Sequence, residues 1–246
     1  MLGQILKVIR VRHWIKNLFV FIPVFISGNI SNFELLLSSL IIFLAFSFTA
    51  SSIYIINDLA DLKRDQAHPI KKFRPLPSGN LSLFSALICV AILILGTLFT
   101  LSLVNFMGWQ VILIYFFINI AYSFYIKHIA ILDIVSISSG FVLRVQAGLA
   151  VTELNGSFWL IALTFTLSML LAIGKRKGEF KNKDMEISRP SLEGYSIIFL
   201  NTLQGIFVTT IIIFYVLYTH FTDTFPGNQS MLMYSSLFVI IGLCRY

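Results

Sequence analysis

Residues 57–79 form a strongly polar segment in a chain that is otherwise mostly apolar. The segment contains three aspartates, five basic residues, one histidine and three prolines. If the preceding helix continues as far as the proline at position 69, three carboxylates and one amide fall within an arc of about 100°. Oxygen ligands of this kind suit Mg²⁺, which takes one or two carboxylates and completes its shell with water and phosphate oxygens. We therefore predict a metal site, with the aspartates as catalytic groups, formed by Asn57, Asp58, Asp61 and Asp65.

The same segment supplies the positive charge that a phosphorylated ligand needs. Three of its basic residues follow Pro69, and the prolines and glycine at positions 75–79 form a stiff turn after them. Acids that hold a metal on one side and positive donors on the other suit a magnesium diphosphate. The competing interpretation is a solvated helix end whose acids pair with basic residues one turn away. We predict that four residues of this loop bind substrate: His68, Lys71, Lys72 and Arg74.

The elements that must hold this segment are membrane helices. Of the 246 residues, 57% are hydrophobic and 12% are charged, which is too few charges for the surface of a soluble protein. Several apolar runs approach the twenty residues that cross a hydrocarbon layer. We predict an all-α, polytopic transmembrane bundle that forms one domain, with residues 1–14 as an amphipathic helix in the membrane interface. The predicted spans are 17–31, 35–56, 81–103, 108–126, 131–152, 157–174, 194–219 and 231–246.

The distribution of Lys and Arg predicts the orientation of these spans. Four connections contain neither residue, namely those near residues 30–34, 104–108, 153–156 and 220–230. Because basic loops stay in the cytosol, we expect the N-terminus and the loops 57–80 and 175–193 on the cytosolic side of the cytoplasmic membrane. The net charge of +7 on that side suits anionic lipids or phosphorylated substrates, and we expect no nucleic-acid partner. The oligomeric state is left open, a homo-oligomer included.

The acidic and basic parts of residues 57–79 together resemble a known signature. Asn57-Asp58-x-x-Asp61-x-x-x-Asp65 followed by Arg74-Pro75-Leu76-Pro77-Ser78-Gly79 is similar to the first signature of the UbiA superfamily of membrane prenyltransferases. The resemblance implies a helical bundle, usually of nine spans, whose aspartates bind Mg²⁺ and a diphosphate. Since eight spans are predicted and the last stops at Tyr246 without a polar tail, we expect the natural protein to continue further.

Three other stretches resemble one branch of that superfamily, the polyprenyl-phosphate phosphoribosyltransferases. They are Arg12-His13-Trp14-x-Lys16-Asn17 with Pro23, then His68-Pro69-x-Lys71, and Leu132-Asp133 leading to Gly140-Phe141-x-Leu143-Arg144-x-x-Ala147-Gly148. The likeness covers nearly the whole chain. In the resembling family the first stretch borders the active site, so the resemblance implies that Lys16 and Asn17 bind substrate.

A second polar cluster follows four spans later, at the predicted cytosolic end of span six. Lys175, Arg176 and Glu179 share an arc of about 100°, where an internal repeat would place a second site. The aromatic-prenylating branches carry a second aspartate-rich motif nearby, which this chain lacks. The cations favour a further phosphate group over a neutral aromatic acceptor, although they could also serve as a positive-inside signal. We predict these three residues, and Arg189 beyond them, as substrate-binding.

Span five contains a charged residue of each sign. Asp133 and Arg144 are eleven residues apart, so they lie within about 20° of each other on a helix. A charged Arg inside a span is unfavourable unless it faces a partner or a polar cavity. Arg144 therefore either contacts an anionic ligand or pairs structurally with Asp133. We predict both residues, together with Lys127 in the turn before the span, as substrate-binding.

The residues and the resemblance together imply a membrane glycosyltransferase of the phosphoribosyltransferase type. The expected reaction is Mg²⁺-dependent transfer of a 5-phosphoribosyl group from phosphoribosyl diphosphate to a polyprenyl phosphate, such as decaprenyl phosphate, with release of diphosphate. The nearest alternative is a prenyltransferase that moves a prenyl group from a prenyl diphosphate to an aromatic or other acceptor. An alternative of another class is a membrane transporter or scaffold with a polar cavity.

Overall fold

The computed structural model describes residues 2–181, 190–221 and 229–245, and these residues form helices and turns without a strand. In chain order they are α1 (Leu2–Val8), the 3₁₀ helix η1 (Val11–Phe21), α2 (Ile22–Ile26), α3 (Phe33–Ala60), α4 (Leu62–Ala67), η2 (Lys71–Phe73), α5 (Leu83–Leu101), α6 (Phe106–Phe124), η3 (Ile126–His128), α7 (Leu132–Thr152), α8 (Phe158–Lys181), η4 (Pro190–Gly194), α9 (Ile197–Phe221) and α10 (Gln229–Arg245). Six of these helices, α3 and α5 to α9, are long and apolar enough to cross a membrane. The prediction of an all-helical, multi-pass membrane protein is therefore confirmed, whereas the predicted eight spans are not.

The chain folds into two compact units. The first comprises Met1–Lys127 and Leu143–Leu154, and the second comprises His128–Val142 and Asn155–Tyr246. Helix α7 thus begins in the second unit and ends in the first. The aspartate-rich segment and the second polar cluster of the sequence consequently belong to different units.

Helix α3 is the long helix of the first unit. The side chain of Asn32 caps it by accepting hydrogen bonds from two backbone N–H groups of the first turn, at 3.0 and 3.3 Å. Small polar residues lie on its buried side, and the hydroxyl of Ser47, for example, donates a hydrogen bond to a backbone carbonyl one turn earlier. Their small size lets neighbouring helices approach closely. Its 28 residues measure about 42 Å, more than a hydrocarbon layer of about 30 Å. The final turn, which bears the first acidic residues, is therefore long enough to reach the membrane surface.

Helices α5 and α6 pack against α3. The hydroxyl oxygens of Thr49 on α3 and Thr97 on α5 are 3.3 Å apart. Asn105 caps α6 and also donates from its side-chain amide to the carbonyl oxygen of Ala150 at 2.7 Å, which joins the start of α6 to the end of α7. The apolar core between these helices contains Val20, Ile42, Phe46, Val111, Tyr115 and Ala147.

The N-terminal segment differs from the predicted helices. In place of an amphipathic helix over residues 1–14 and a span over 17–31, the structure has α1, η1 and α2 in succession. The backbone of Arg10 is left-handed, with φ 54°, so the α-helix cannot continue through it. At about 2.0 Å per residue in η1 and 1.5 Å in α2, the two helices together measure about 30 Å. The segment has the length of a span but is not one continuous α-helix.

A close backbone contact explains why glycine stands at position 148. The carbonyl oxygen of Val20 in η1 lies 2.1 Å from the place that a Cβ would occupy at Gly148, and the Cδ of Pro23 lies 3.2 Å from it. A backbone carbonyl cannot turn aside as a flexible side chain can. Only glycine therefore lets η1 lie this close to the C-terminal half of α7.

We expect Gly148→Ala to lower the stability of the purified protein by about 1–3 kcal/mol, because the added methyl overpacks this contact. The control is Gly205→Ala in α9, where nothing lies within 4 Å of the added Cβ. That variant should be neutral or stabilising by up to about 1 kcal/mol, the helix-propensity difference between the two residues. Melting temperatures in detergent compare them. A Gly148→Ala protein as stable as the wild type would contradict the close contact.

The second unit is built around α8 and α9, with α10 packed against α9. Its apolar core contains Ile134, Met169, Ile173, Leu192 and Leu200. Lys177 on α8 donates to the side-chain oxygen of Gln204 on α9 at 2.9 Å. The hydroxyl groups of Tyr215 and Ser235, 2.8 Å apart, connect α9 with α10.

Candidate active site

The acidic residues of the first unit form ion pairs with arginines from two other segments. Arg10 donates from Nη2 to Asp58 Oδ1, and Arg74 donates from Nη1 to the same oxygen at 3.2 Å. The same Nη1 of Arg74 donates to Asp65 Oδ2 at 2.9 Å. Asp58 and Asp65 are both buried. One cationic nitrogen thus bridges two buried carboxylates.

The remaining two predicted ligands meet a lysine. Lys127 donates from Nζ to both carboxylate oxygens of Asp61, at 2.9 and 2.8 Å, and lies 3.4 Å from Asn57 Oδ1. Helix α3 ends at Ala60, and Asp61 lies in a turn with φ −91° and ψ 7° before α4 begins. The polar helical face predicted from the sequence is therefore divided into two pairs, each held by a basic residue.

The donor set suits a divalent cation, although the ion pairs divide it. Across residues 2–181, 190–221 and 229–245, no three His, Cys, Asp or Glu side chains are grouped closely enough to hold a metal by themselves. Asp58 and Asp65 nevertheless direct oxygens at one positive nitrogen. Buried carboxylates so arranged require a cation between them, and oxygen ligands are those that Mg²⁺ prefers. That these four residues bind a metal stays a prediction, which the chemistry of their side-chain oxygens supports.

A cavity of about 440 Å³ opens beside these ion pairs. Its volume lies in the range of small-molecule sites, which is about 300–1,000 Å³. Four lysine and arginine side chains and one histidine line it against one carboxylate, and such an excess of positive charge attracts anions. The charged and titratable lining residues are Lys7, Arg10, His13, Asp58, Lys71 and Arg74.

The loop between α4 and α5 is ordered by its own side chains. The buried ring of His68 accepts hydrogen bonds at Nδ1 from the backbone N–H groups of Ile70 and Lys71, at 3.1 and 3.3 Å. Because Nδ1 is an acceptor, the proton of the neutral ring lies on Nε2. Gly79, with φ 76°, provides the turn that leads to α5. His68 thus fixes the backbone from which Lys71 reaches the cavity, and Lys72 lies over the ring of Phe73 at 5.2 Å.

Arg144 and Asn17 meet in the interior of the first unit. Arg144 donates from Nε to Asn17 Oδ1 at 2.7 Å and from Nη2 to the hydroxyl of Tyr115 at 3.0 Å. Its guanidinium also lies 5.5 and 4.9 Å from the ring centroids of Phe46 and Tyr115. Asn17 donates in turn to Ser47 Oγ at 2.9 Å. These two residues therefore connect η1, α3, α6 and α7, and their predicted contact with substrate stays a prediction.

In the second unit, Asp133 is the centre of a buried polar network. Its Oδ1 accepts from the hydroxyl of Tyr195 at 2.6 Å and from the N–H of Ile134 at 2.8 Å. Its Oδ2 accepts from Nε of Arg176 at 2.8 Å and from Oγ of Ser191 at 3.2 Å. The side chains of Asp133 and Arg176 are 0% and 1% exposed. The network joins the start of α7, the end of α8 and the segment before α9.

The other predicted residues of this cluster lie at its edge. Glu179 pairs with Arg176, and its Oε1 lies 3.9 Å from Nζ of Lys175. The side chain of Lys175 is 63% exposed and the backbone around it is helical. Lys175 therefore meets solvent, whereas Arg176 is enclosed by protein groups. Arg189 lies outside the described residues.

Tyr195 holds an unusual turn in place. Its hydroxyl accepts from the N–H of Ile131 at 2.7 Å while it donates to Asp133. Ile131 has φ 70°, which is rare for a β-branched residue. Burial raises the pKa of Tyr195, and the hydrogen bond to Asp133 raises it further. The phenol consequently stays protonated at neutral pH and keeps both hydrogen bonds.

Three titratable cavity residues, Lys7, Arg10 and His13, were not among the predicted site residues. In the sequence they are part of a basic N-terminal segment, which membrane topology alone accounts for. The available signal is the spacing of Lys7 and Arg10, three residues apart, which places both on one side of a helix. That signal becomes specific only when the segment is known to reach the end of α3.

Long apolar helices together with buried acids and a basic cavity define a multi-pass membrane protein with a candidate site for an anionic ligand. The model of the UbiA prenyltransferase family matches residues 18–186, which is more than half of the chain. The chain belongs to this family and is a membrane transferase. The resemblance stated from the sequence is confirmed, and the interpretation as a transporter or scaffold gives way to it.

Two relatives and one solved structure illustrate the similarity. The decaprenyl-phosphate phosphoribosyltransferase of Mycolicibacterium smegmatis is 32% identical over 234 residues, covering 91% of this chain and 72% of that protein. The uncharacterized protein y4nM of Sinorhizobium fredii is 33% identical over 174 residues, covering 71% of this chain; the chain spans 34% of its length. A UbiA homologue from Archaeoglobus fulgidus bound to GPP and Mg²⁺ superposes with a TM-score of 0.79 at 18% identity, covering 99% of this chain and 85% of that one. The structural likeness shows a UbiA-like fold.

Proposed function

We propose that the protein transfers a 5-phosphoribosyl group from phosphoribosyl diphosphate to a polyprenyl phosphate, such as decaprenyl phosphate, and releases diphosphate. The observation that carries this proposal is the cavity of about 440 Å³ whose lining has four lysine and arginine side chains, one histidine and one carboxylate. A donor with a diphosphate and a separate 5-phosphate carries more negative charge than a prenyl diphosphate does. It therefore matches this lining better. The 32% identity to a decaprenyl-phosphate phosphoribosyltransferase supports the same choice.

The reaction requires one bond to break and one to form at the anomeric carbon of the ribose. The bond from this carbon to the diphosphate oxygen breaks, and its electron pair leaves with the diphosphate. An oxygen of the lipid phosphate forms the new bond. A phosphate monoester is already anionic at neutral pH, because its second pKa is about 6, so it needs no strong general base. Catalysis then rests on positioning the two substrates and on stabilising charge.

Mg²⁺ held by Asn57, Asp58, Asp61 and Asp65 would neutralise charge on the diphosphate and so make it a better leaving group. The basic loop that follows these residues would bind the diphosphate oxygens directly. Arg74 is positioned for this role because its side chain is 35% exposed and already lies between Asp58 and Asp65. Lys71 lies 4.0 Å from Asp65 and lines the same cavity.

The remaining residues of the first unit would serve positioning. His68 orders the loop backbone at Lys71, and Lys127 holds Asp61 through both carboxylate oxygens. Lys16 is exposed at the N-terminal segment and would meet the anionic head of the lipid. The basic residues are concentrated in the N-terminal segment and the two polar loops, and basic segments stay in the cytosol. We therefore place this site, the N-terminus and both polar loops on the cytosolic side of the cytoplasmic membrane.

The proposal predicts the outcome of a labelling experiment on membranes that contain the protein. Phosphoribosyl diphosphate labelled in the ribose should transfer its label to the organic-soluble lipid fraction only when decaprenyl phosphate and Mg²⁺ are both present. Chelation of the metal should stop the transfer, and membranes without the protein give the background. The rival prenyltransferase is tested in parallel with labelled prenyl diphosphates and aromatic acceptors. Transfer from a prenyl diphosphate, with none from phosphoribosyl diphosphate, would overturn the proposal in favour of that rival.

A further inference from the structure

Arg10 stands out because it joins the N-terminal segment to a predicted metal ligand 48 residues further along the chain. Its guanidinium pairs with Asp58 and lies 4.7 Å from the ring centroid of Tyr54, one helical turn before Asp58 on α3. Its backbone is left-handed and separates α1 from η1. The side chain is 20% exposed and faces the basic cavity. Arg10 is therefore held on one side by an aromatic ring and open to the cavity on the other.

Two guanidinium groups share a single carboxylate oxygen at this point. Arg10 and Arg74 both donate to Asp58 Oδ1, although Arg74 has a second carboxylate partner in Asp65. The oxygen that would coordinate a cation is thus engaged by a positive side chain. A cation can bind this oxygen only in those molecules in which the ion pair has opened. The apparent affinity of the site for the cation is therefore lowered. The guanidinium so released remains at the wall of the cavity.

We propose that Arg10 is a further substrate-binding residue, which exchanges Asp58 for an oxygen of the diphosphate when the cation and the diphosphate bind together. The exchange conserves charge pairing, because the carboxylate passes from the arginine to the cation and the arginine passes from the carboxylate to the phosphate. The planar fork of a guanidinium suits phosphate oxygens as well as it suits a carboxylate. The inference rests on the proposed function only in taking a diphosphate as the ligand of this cavity.

The test measures the two ligands separately on the full-length protein in detergent. Binding of Mn²⁺ is followed by electron paramagnetic resonance, and binding of radiolabelled inorganic diphosphate is measured at saturating Mn²⁺. We expect Arg10→Met to bind Mn²⁺ alone at least about threefold more tightly, since one of the two pairings that compete for Asp58 Oδ1 is gone and Arg74 still has Asp65 as a partner. The same variant should bind diphosphate about tenfold more weakly, since a charged donor to the phosphate is lost. The two affinities thus move in opposite directions.

The matched control is Arg64→Met, which removes an exposed guanidinium from α4 that does not line the cavity. It should leave both affinities unchanged. Arg10→Lys retains the charge but loses the fork, and it should bind diphosphate at least about threefold more weakly. This second variant decides the question if Arg10→Met does not fold. Unchanged diphosphate binding in a folded Arg10 variant would overturn the inference, and so would a parallel weakening of both ligands in Arg10→Met, which would indicate a structural role.

The result is independent of the donor that the enzyme uses. Opposite shifts in Mn²⁺ and diphosphate affinity would support the role of Arg10 even if the labelling experiment identified a prenyl diphosphate as donor. Conversely, confirmed phosphoribosyl transfer together with unchanged diphosphate binding in the Arg10 variants would contradict this inference and leave the proposed function standing.

Discussion

Replacing Asp61 with Asn is expected to lower the rate of the proposed phosphoribosyl transfer by about three orders of magnitude, or roughly 4 kcal/mol of transition-state stabilisation. The amide keeps the shape of the carboxylate but loses the negative charge that strengthens the binding of Mg²⁺. The protein should stay folded, because the side chain of Asp61 is 24% exposed and the amide oxygen of the variant can still accept from Lys127. Asp58→Asn should lose activity to the same extent. Initial rates over a series of Mg²⁺ concentrations, with melting temperatures measured alongside, check both variants.

Glu34→Gln provides the control for this substitution. It makes the same chemical change in the first turn of α3, at the end opposite to the turn that holds Asp61. We expect its activity to equal that of the wild type, with at most about 1 kcal/mol of stability lost from the helix dipole. An Asp61→Asn protein with near wild-type rates at low Mg²⁺ would remove the metal role from this residue.

The acidic face was predictable because helical periodicity governs neighbours within one segment. Asn57 and Asp61 are four residues apart, and in the structure they share Lys127 as the periodicity requires. The break at Asp61 was not predictable, because neither proline nor glycine marks it in the sequence. Across this break, Asp58 and Asp65 share Nη1 of Arg74.

Contacts between distant segments could not be derived from local patterns. The close approach of Val20 in η1 to Gly148 joins residues that are 128 positions apart in the sequence, and no glycine marks the left-handed backbone of Arg10 before η1. A run of apolar residues predicts a span by length, but the choice between α and 3₁₀ winding depends on what the run packs against. The predicted first span, 17–31, is therefore replaced by two shorter helices over residues 11–26.

The partner of a buried charge is equally hidden from a helical wheel. Asp133 and Arg144 share a face of α7 by periodicity, yet Asp133 forms its ion pair with Arg176 on α8. Burial of an acid needs several donors at once, and the start of one helix cannot supply them all. Tyr195, Ser191 and the N–H of Ile134 complete the set from neighbouring segments.

Arg176→Met is expected to destabilise the protein by about 3–5 kcal/mol, because it strands the charge of Asp133 in a buried site. For a chain of this size that corresponds to a fall in melting temperature of roughly 6–20 °C. The control is Lys175→Met, which removes the same charge one residue earlier from a side chain that is 63% exposed. Its stability should change by less than about 0.5 kcal/mol. Thermal unfolding of the purified variants gives the comparison.

The double variant Asp133→Asn/Arg176→Met separates a structural role of the pair from substrate binding. If the pair is structural, removing both charges leaves no stranded ion, and much of the stability lost in Arg176→Met should return. If Arg176 instead binds a substrate phosphate, Arg176→Met should fold normally and raise KM for phosphoribosyl diphosphate more than KM for the lipid. The burial of both side chains and the four donors to Asp133 favour the first outcome. A normal melting temperature in Arg176→Met, combined with a raised KM for that donor alone, would assign Arg176 to the substrate.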